Sequence, residues 1–325
     1  MVRIALALIA FLFALPAAAA DVGFARIAVP DPLGETLAGA VWYPTEAAAA
    51  PHALNGLWQD VAEGAPVAGW RLPLVIISHG SGGWYGGHLD TALALARAGF
   101  VVAAVTHKGD DYADQSHTVE IDRRPVQAEA LIQFMLNAWP EHARIDPGRV
   151  GAFGFSAGGF TVLVLAGGVP DLSKVNAHAA AHPTWFDSGI VRAAPPAALA
   201  RTLAVKDWPH DAHIKAIVVA APALGYTFGK AGLADIRAPV QLWKAQDDQI
   251  LAAPDYADAV RADLPRPPEF HVVEDAGHYD FLTPCDADLA KRVPEICVSR
   301  PGFDRAAFHR SFDAAVVRFF AATLK

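Results

Sequence analysis

The stretch Arg149-Val150-Gly151-Ala152-Phe153-Gly154-Phe155-Ser156-Ala157-Gly158-Gly159-Phe160 sets one serine among four glycines, between two apolar runs. Glycine inside a strand or helix is destabilising by roughly 0.5–1 kcal/mol relative to alanine, so this density answers a geometric demand. Val150–Phe155 has the composition of a buried strand and Ala157–Leu165 that of a helix, which puts Gly154-Phe155-Ser156-Ala157-Gly158, a match to G-x-S-x-G, at their junction. In that setting the serine occupies a strained turn, its Oγ projects above the carboxyl edge of a sheet, and the flanking glycines prevent clashes. A tight structural turn is the competing reading of the same residues.

Working outward, the hydrophobic period alternates along the chain. Phe24–Pro30 and Thr36–Tyr43 flank the turn sequence Asp31-Pro32-Leu33-Gly34 and read as a hairpin. Strand-like apolar runs follow at Leu72–Ser78, Phe100–Thr106, Arg149–Phe155, Ile214–Ala221, Val240–Lys244 and Glu269–Val273. Helix-like segments lie at Leu89–Ala98, at Pro125–Ala138 with Val126, Ala130, Phe134 and Ala138 every fourth residue, and at Asp304–Leu324 with Phe308, Phe312, Ala315 and Phe319 on one face. This order predicts an α/β fold with a mostly parallel central sheet and helices on both faces. Ala47–Gly69, rich in Ala, Pro and Gly, reads as a long surface loop. Residues 169–213 exceed a simple crossover and read as a cap insertion over the sheet edge.

A serine hydroxyl of ordinary acidity needs a base and an orienting acid, and in this architecture they follow the serine as acid then histidine, each past a strand end. His278, in Ala276-Gly277-His278-Tyr279 beyond the last strand, fills the base position. Val240–Lys244 is followed by Ala245-Gln246-Asp247-Asp248-Gln249; the registration sets Asp248 in the acid slot, with Asp247 as the alternative. Asp275 and Asp280 flank the histidine too closely for that role and read as loop caps. Ile76-Ile77-Ser78-His79-Gly80-Ser81-Gly82-Gly83 ends a strand in a glycine-rich loop, which makes the backbone N–H groups of Ser81 and Ala157 the oxyanion donors. No Walker-type lysine and no G-x-G-x-x-G accompany those glycines, so no cofactor is expected.

The chain of 325 residues is 53% hydrophobic and 18% charged with a formal net charge of −8, which suits a packed core and leaves no basic footprint for nucleic acid. Residues 1–20, MVRIALALIAFLFALPAAAA, carry one positive charge at Arg3, an apolar run and the small pair Ala18 and Ala20, the pattern of an export signal cleaved near Ala20. The apolar run is too short for the ~20 residues of a membrane span, so residues 21–325 are expected as one exported domain without stable membrane insertion. Cys285 and Cys297, an even pair in an oxidising compartment, are expected to form a disulfide. His178-x3-His182 and His210-x2-His213 raise the question of a metal, but no acid or cysteine in the sequence evidently completes a site, and the four read as solvated histidines.

With SHGSGG, GFSAGG, the QDDQ loop and AGHYDFL in hand, the chain resembles the α/β-hydrolase superfamily, and within it dienelactone-hydrolase-like proteins related to plasma-type platelet-activating-factor acetylhydrolases. The resemblance spans nearly all of Asp21–Lys325. Dienelactone hydrolases proper use a cysteine where this chain has Ser156, and Phe155 stands where the related elbow commonly has histidine. The resemblance implies a serine esterase acting through an acyl-enzyme, with thioester, lactone or peptide substrates and a noncatalytic ligand-binding protein as the alternatives. Trp84, Tyr85, Trp185, Phe186, Tyr226 and Tyr279 predict an aromatic pocket for a small neutral ester, with Phe228 better assigned to the core.

Overall fold

The computed structural model describes residues 21–34 and 36–325; the export signal read from residues 1–20 falls outside them. Ten strands form the sheet: β1 (Asp21–Pro30), β2 (Thr36–Thr45), β3 (Ala50–Leu54), β4 (Leu57–Glu63), β5 (Leu72–Ser78), β6 (Val101–Val105), β7 (Ile145–Phe155), β8 (Ile214–Ala220), β9 (Val240–Ala245) and β10 (Glu269–Val273). Their spatial order is β10-β9-β8-β7-β5-β6-β2-β1-β4-β3, with β5 to β10 mutually parallel and β2 joining β6 antiparallel. The chain runs outward from β5 to β6, then crosses back to β7 on the other side of β5. That reversal opens a crevice beyond the carboxyl ends of β5 and β7, where open α/β sheets bind ligands.

The parallel strands read as continuous apolar runs because both of their faces are buried. Leu74, Ile76, Val150, Ala152, Ile217 and Val219 face helices α2 (Arg123–Asn137) and α3 (Ala157–Leu165), whereas Val75, Ile77, Phe153, Val218 and Ala220 face α1 (Leu89–Arg97) and the C-terminal helix Arg305–Thr323. Phe312, Ala315 and Phe319 of that last helix are buried as their spacing predicts. For α2 the stripe is different: Arg124, Gln127, Ala128, Leu131, Ile132 and Met135 are buried, while Val126, Ala130 and Phe134 are only partly so and Ala138 is exposed. The fourfold apolar repeat marks the flank of the helix, and two polar residues occupy its buried face.

Residues 47–69 do not form a loop. β3 and β4 pair antiparallel from Ala50↔Val61 to Leu54↔Leu57 around Asn55-Gly56, both with positive φ (45° and 86°). That is the two-residue turn whose twist matches a hairpin. β4 alternates buried Leu57, Gln59 and Val61 with exposed Trp58 and Asp60, and Gln59 accepts the indole N–H of buried Trp42 at 2.8 Å. The insertion holds three short helices, α4 (Lys174–Ala181), α5 (Phe186–Ala193) and α6 (Pro196–Leu203).

Cys285 and Cys297 are joined in a disulfide, and no helix among the described residues is long and apolar enough to cross a membrane. The bond closes a loop with a sequence separation of 12 immediately after the His278 turn. A loop of that size restricts the unfolded chain by about 3 kcal/mol. Reduction is therefore expected to lower the melting temperature measurably, and identical melts with and without reductant, at verified thiol release, would refute this.

Candidate active site

Ser156 follows β7 directly with φ 56° and ψ −119°, a left-handed conformation for a residue with a Cβ. The strain is held by its own backbone: its N–H donates to the Ala220 carbonyl at 2.9 Å, and its carbonyl accepts from Ala223 at 2.9 Å and Phe160 at 3.2 Å. The glycines make this turn possible through close approach. A Cβ on Gly154 would lie 2.1 Å from the Gly158 carbonyl oxygen, and one on Gly158 would lie 1.9 Å from that of Ser78. Helix α3 thus packs against its own strand and against β5 at backbone distance.

β9 and β10 end side by side, and their loops bring an acid to a histidine. Asp248 Oδ2 lies 2.8 Å from His278 Nδ1, with 6% and 2% of the side chains exposed. Asp248 Oδ1 accepts the N–H groups of Ile250 and Leu251 at 2.9 and 2.7 Å, which fixes the carboxylate plane. Asp247 points the other way: it is half-exposed and paired with Arg300. Asp280 accepts the Gly277 N–H at 2.8 Å as a loop cap, and also forms a buried ion pair with Arg305. The His278 ring rests on Phe155, centroids 4.7 Å apart, so the residue before the serine packs against this histidine.

The glycine-rich loop after β5 lies against the same point: a Cβ on Gly80 would be 3.2 Å from the Ser156 Cβ. Ala157 opens α3, where the ladder leaves its N–H without a helical acceptor. The loop carrying Ser81 is held by residues the sequence reading did not single out. Buried Arg124 donates to Asp110 and to the His79 carbonyl. Asp110 in turn accepts the Ser81 hydroxyl at 3.2 Å, the Gly82 N–H at 3.4 Å and the Thr118 hydroxyl at 3.0 Å. His79 Nε2 accepts the His107 N–H at 2.9 Å, which leaves Nδ1–H to donate to the Gly80 carbonyl at 2.6 Å. His107 bridges Ser78 Oγ at 2.8 Å and Gln127 Oε1 at 3.0 Å. Burial, reinforced by the Arg124 charge, holds both imidazoles well below the usual histidine range, so they act as neutral struts. The available signal was Arg124 and Gln127 in helical phase with Ala128, Leu131 and Met135.

Above Ser156, Ser81 and Ala157 lies a small cleft, open to solvent. Its walls are mainly aliphatic and come from the insertion, with Val175, Ile190, Val191, Leu199 and Leu203 facing Leu224 and Leu251. Of the expected aromatics, Phe186 and Tyr226 line it; Phe228 is core, Trp84 and Tyr85 pack against the sheet, and Trp185 stacks on His182. Asp187 supplies an acid to the wall and accepts the hydroxyls of Tyr226 at 3.3 Å and Tyr256 at 2.8 Å. Of the four insertion histidines, His213 pairs with Asp211 and stands apart. His178 is not solvated, with 8% of its side chain exposed, and Asp255, distant in sequence, lies 3.4 Å from both His178 and His182.

A parallel sheet reversed at β5, an elbow serine beyond β7 and an acid–histidine pair beyond β9 and β10 define the α/β-hydrolase fold. The pattern of the dienelactone hydrolase family matches residues 60–287, and the chain belongs to that family. It is accordingly a hydrolase of the ester and lactone type. Among solved structures it is similar to a ferulic acid esterase from Streptomyces cinnamoneus, at 18% identity, with a TM-score of 0.63 and coverage of 96% of this chain and 92% of that one. No curated protein matches the chain.

Proposed function

We propose that the protein is an exported serine hydrolase that cleaves neutral carboxylic esters through an acyl-enzyme. The observation that carries this reading is the buried Asp248–His278 hydrogen bond, with the His278 ring packed on Phe155, the residue before a serine held at positive φ. Asp248 keeps the proton on Nδ1 of His278, leaving Nε2 as the base. Nε2 takes the Ser156 proton as Oγ bonds to the ester carbonyl carbon, and the Ser81 and Ala157 N–H groups receive the oxyanion. The imidazolium then protonates the departing alcohol. Water, activated by the same nitrogen, attacks the acyl-enzyme and releases the acid while the proton returns to Ser156. The insertion acts as a cap. The leader of residues 1–20 and the disulfide support export.

The aliphatic cleft favours short to medium acyl chains, and Asp187 in its wall disfavours anionic substrates. Across a p-nitrophenyl ester series, kcat/KM is expected to peak at short acyl groups and fall toward palmitate, with a fluorophosphonate probe labelling Ser156 alone. A rise toward palmitate would show that the cleft is misjudged, and hydrolysis confined to peptides or thioesters would replace the ester reading.

A further inference from the structure

Helix α4 carries His178 in its last turn, His182 follows as the residue that ends the helix, and the loop after Asp248 brings Asp255 up to both. Asp255 Oδ2 lies 3.4 Å from His178 Nε2 and 3.4 Å from His182 Nε2, and the three ligand atoms all fall within 4.8 Å of one another. Neither contact is aligned as a hydrogen bond, and both ring nitrogens of His178 are buried without a hydrogen-bond partner. The two Asp255 separations match edges of a tetrahedron, since Zn–N and Zn–O bonds of about 2.0–2.1 Å set neighbouring ligand atoms roughly 3.3–3.4 Å apart. The far side of His178 fits as well. Its Nδ1 faces Asp187 Oδ2 at 3.5 Å, and that carboxylate is itself anchored by two tyrosine hydroxyls. A carboxylate behind a ligating histidine fixes the ring's tautomer and turns Nε2 toward the metal. Ring packing then sets both imidazole planes: His178 stacks on Tyr226 at 3.6 Å and His182 on Trp185 at 3.9 Å.

We propose that His178, His182 and Asp255 form a zinc site that clasps the insertion to the loop following the catalytic-acid position. Two imidazoles and one carboxylate suit a borderline divalent ion over calcium or magnesium, which take all-oxygen sets. Three protein ligands leave a fourth position for water. The site spans α4 and the Gln249–Asp255 loop, so zinc fixes how the insertion sits over the cleft. The assignment rests on this geometry alone and is independent of the ester reading.

The test uses the untagged mature chain, stripped with chelator and titrated with Zn²⁺ by calorimetry, with Co²⁺ as a spectroscopic probe. One equivalent of Zn²⁺ should bind, raise the melting temperature and displace Co²⁺ whose visible band is that of a tetrahedral site. His182→Gln and Asp255→Asn, both at partly exposed side chains, should abolish the one-equivalent binding while circular dichroism stays native; Asp187→Asn should weaken it about 10- to 100-fold. His213→Gln, outside the cluster, should change nothing. Absence of stoichiometric binding to the stripped chain, an octahedral Co²⁺ spectrum, or binding that survives both ligand substitutions would overturn the proposal.

Discussion

Ser156→Ala is expected to leave a folded protein whose kcat on a neutral ester is lower by on the order of 10⁶. The loss is that large because in the proposed mechanism His278 and Asp248 serve only to activate this hydroxyl; with it gone, the proposed oxyanion donors and the cleft alone remain, and they account for a residual rate roughly 10³–10⁴ above water. The fold survives because the elbow is held through the backbone N–H and carbonyl of residue 156, and alanine keeps the same Cβ at φ 56°. Asp248→Asn should cost about 10⁴. Its amide oxygen must stay on the Ile250 and Leu251 N–H groups, so the NH₂ faces His278 Nδ1 and forces the ring proton onto Nε2, the nitrogen that has to accept. Asp247→Asn, at a half-exposed pair with Arg300, should change activity little, since surface pairs are worth about 0–1 kcal/mol. Steady-state kinetics with burst titration decide the set. Full activity in Ser156→Ala, or a larger loss at Asp247 than at Asp248, would reassign the nucleophile or the acid.

What the sequence disclosed follows from how local each signal is. The elbow was readable because strand, turn and helix sit within some twenty residues and the glycines mark a backbone approach that no other residue tolerates. The acid and histidine followed from chain order past two apolar strands. The hairpin at residues 50–63 was legible in principle from Asn55-Gly56, but its strands are alanine-rich and half-exposed, and composition outweighed the turn signal. The clustering of His178, His182 and Asp255 could not be read, because it depends on a long-range packing of the insertion against the β9 loop. Helix α2 misled for a related reason. An apolar-periodicity argument assumes that polar residues face water, and here Arg124 and Gln127 face inward because Asp110 and His107 are waiting for them.

That inward face gives the second large effect. Arg124 and Asp110 are 2% and 3% exposed, and the guanidinium is the counter-charge for a carboxylate that also collects two donors from the loop carrying Ser81 and the hydroxyl of Thr118. Removing one partner leaves the other charge buried, so Arg124→Met should destabilise the fold by about 3–5 kcal/mol in denaturant titration. Burial holds the Arg124 pKa below the usual arginine range, and the Asp110 carboxylate opposes that shift. Activity should respond separately from stability. Under conditions where the variant remains folded, kcat should fall with KM little changed, by up to about 10²–10³ if the Ser81 N–H no longer meets the oxyanion. Arg124→Lys keeps the charge but cannot reach both Asp110 and the His79 carbonyl, so it should recover stability more than kcat. In Arg124→Met/Asp110→Leu both charges are gone, and the double variant should be more stable than the sum of the single losses while kcat stays low, because the loop has lost its anchor even though no charge is stranded. Additive losses in that cycle, or a wild-type kcat in the double variant, would show that the pair neither stabilises the fold as a unit nor positions the oxyanion loop.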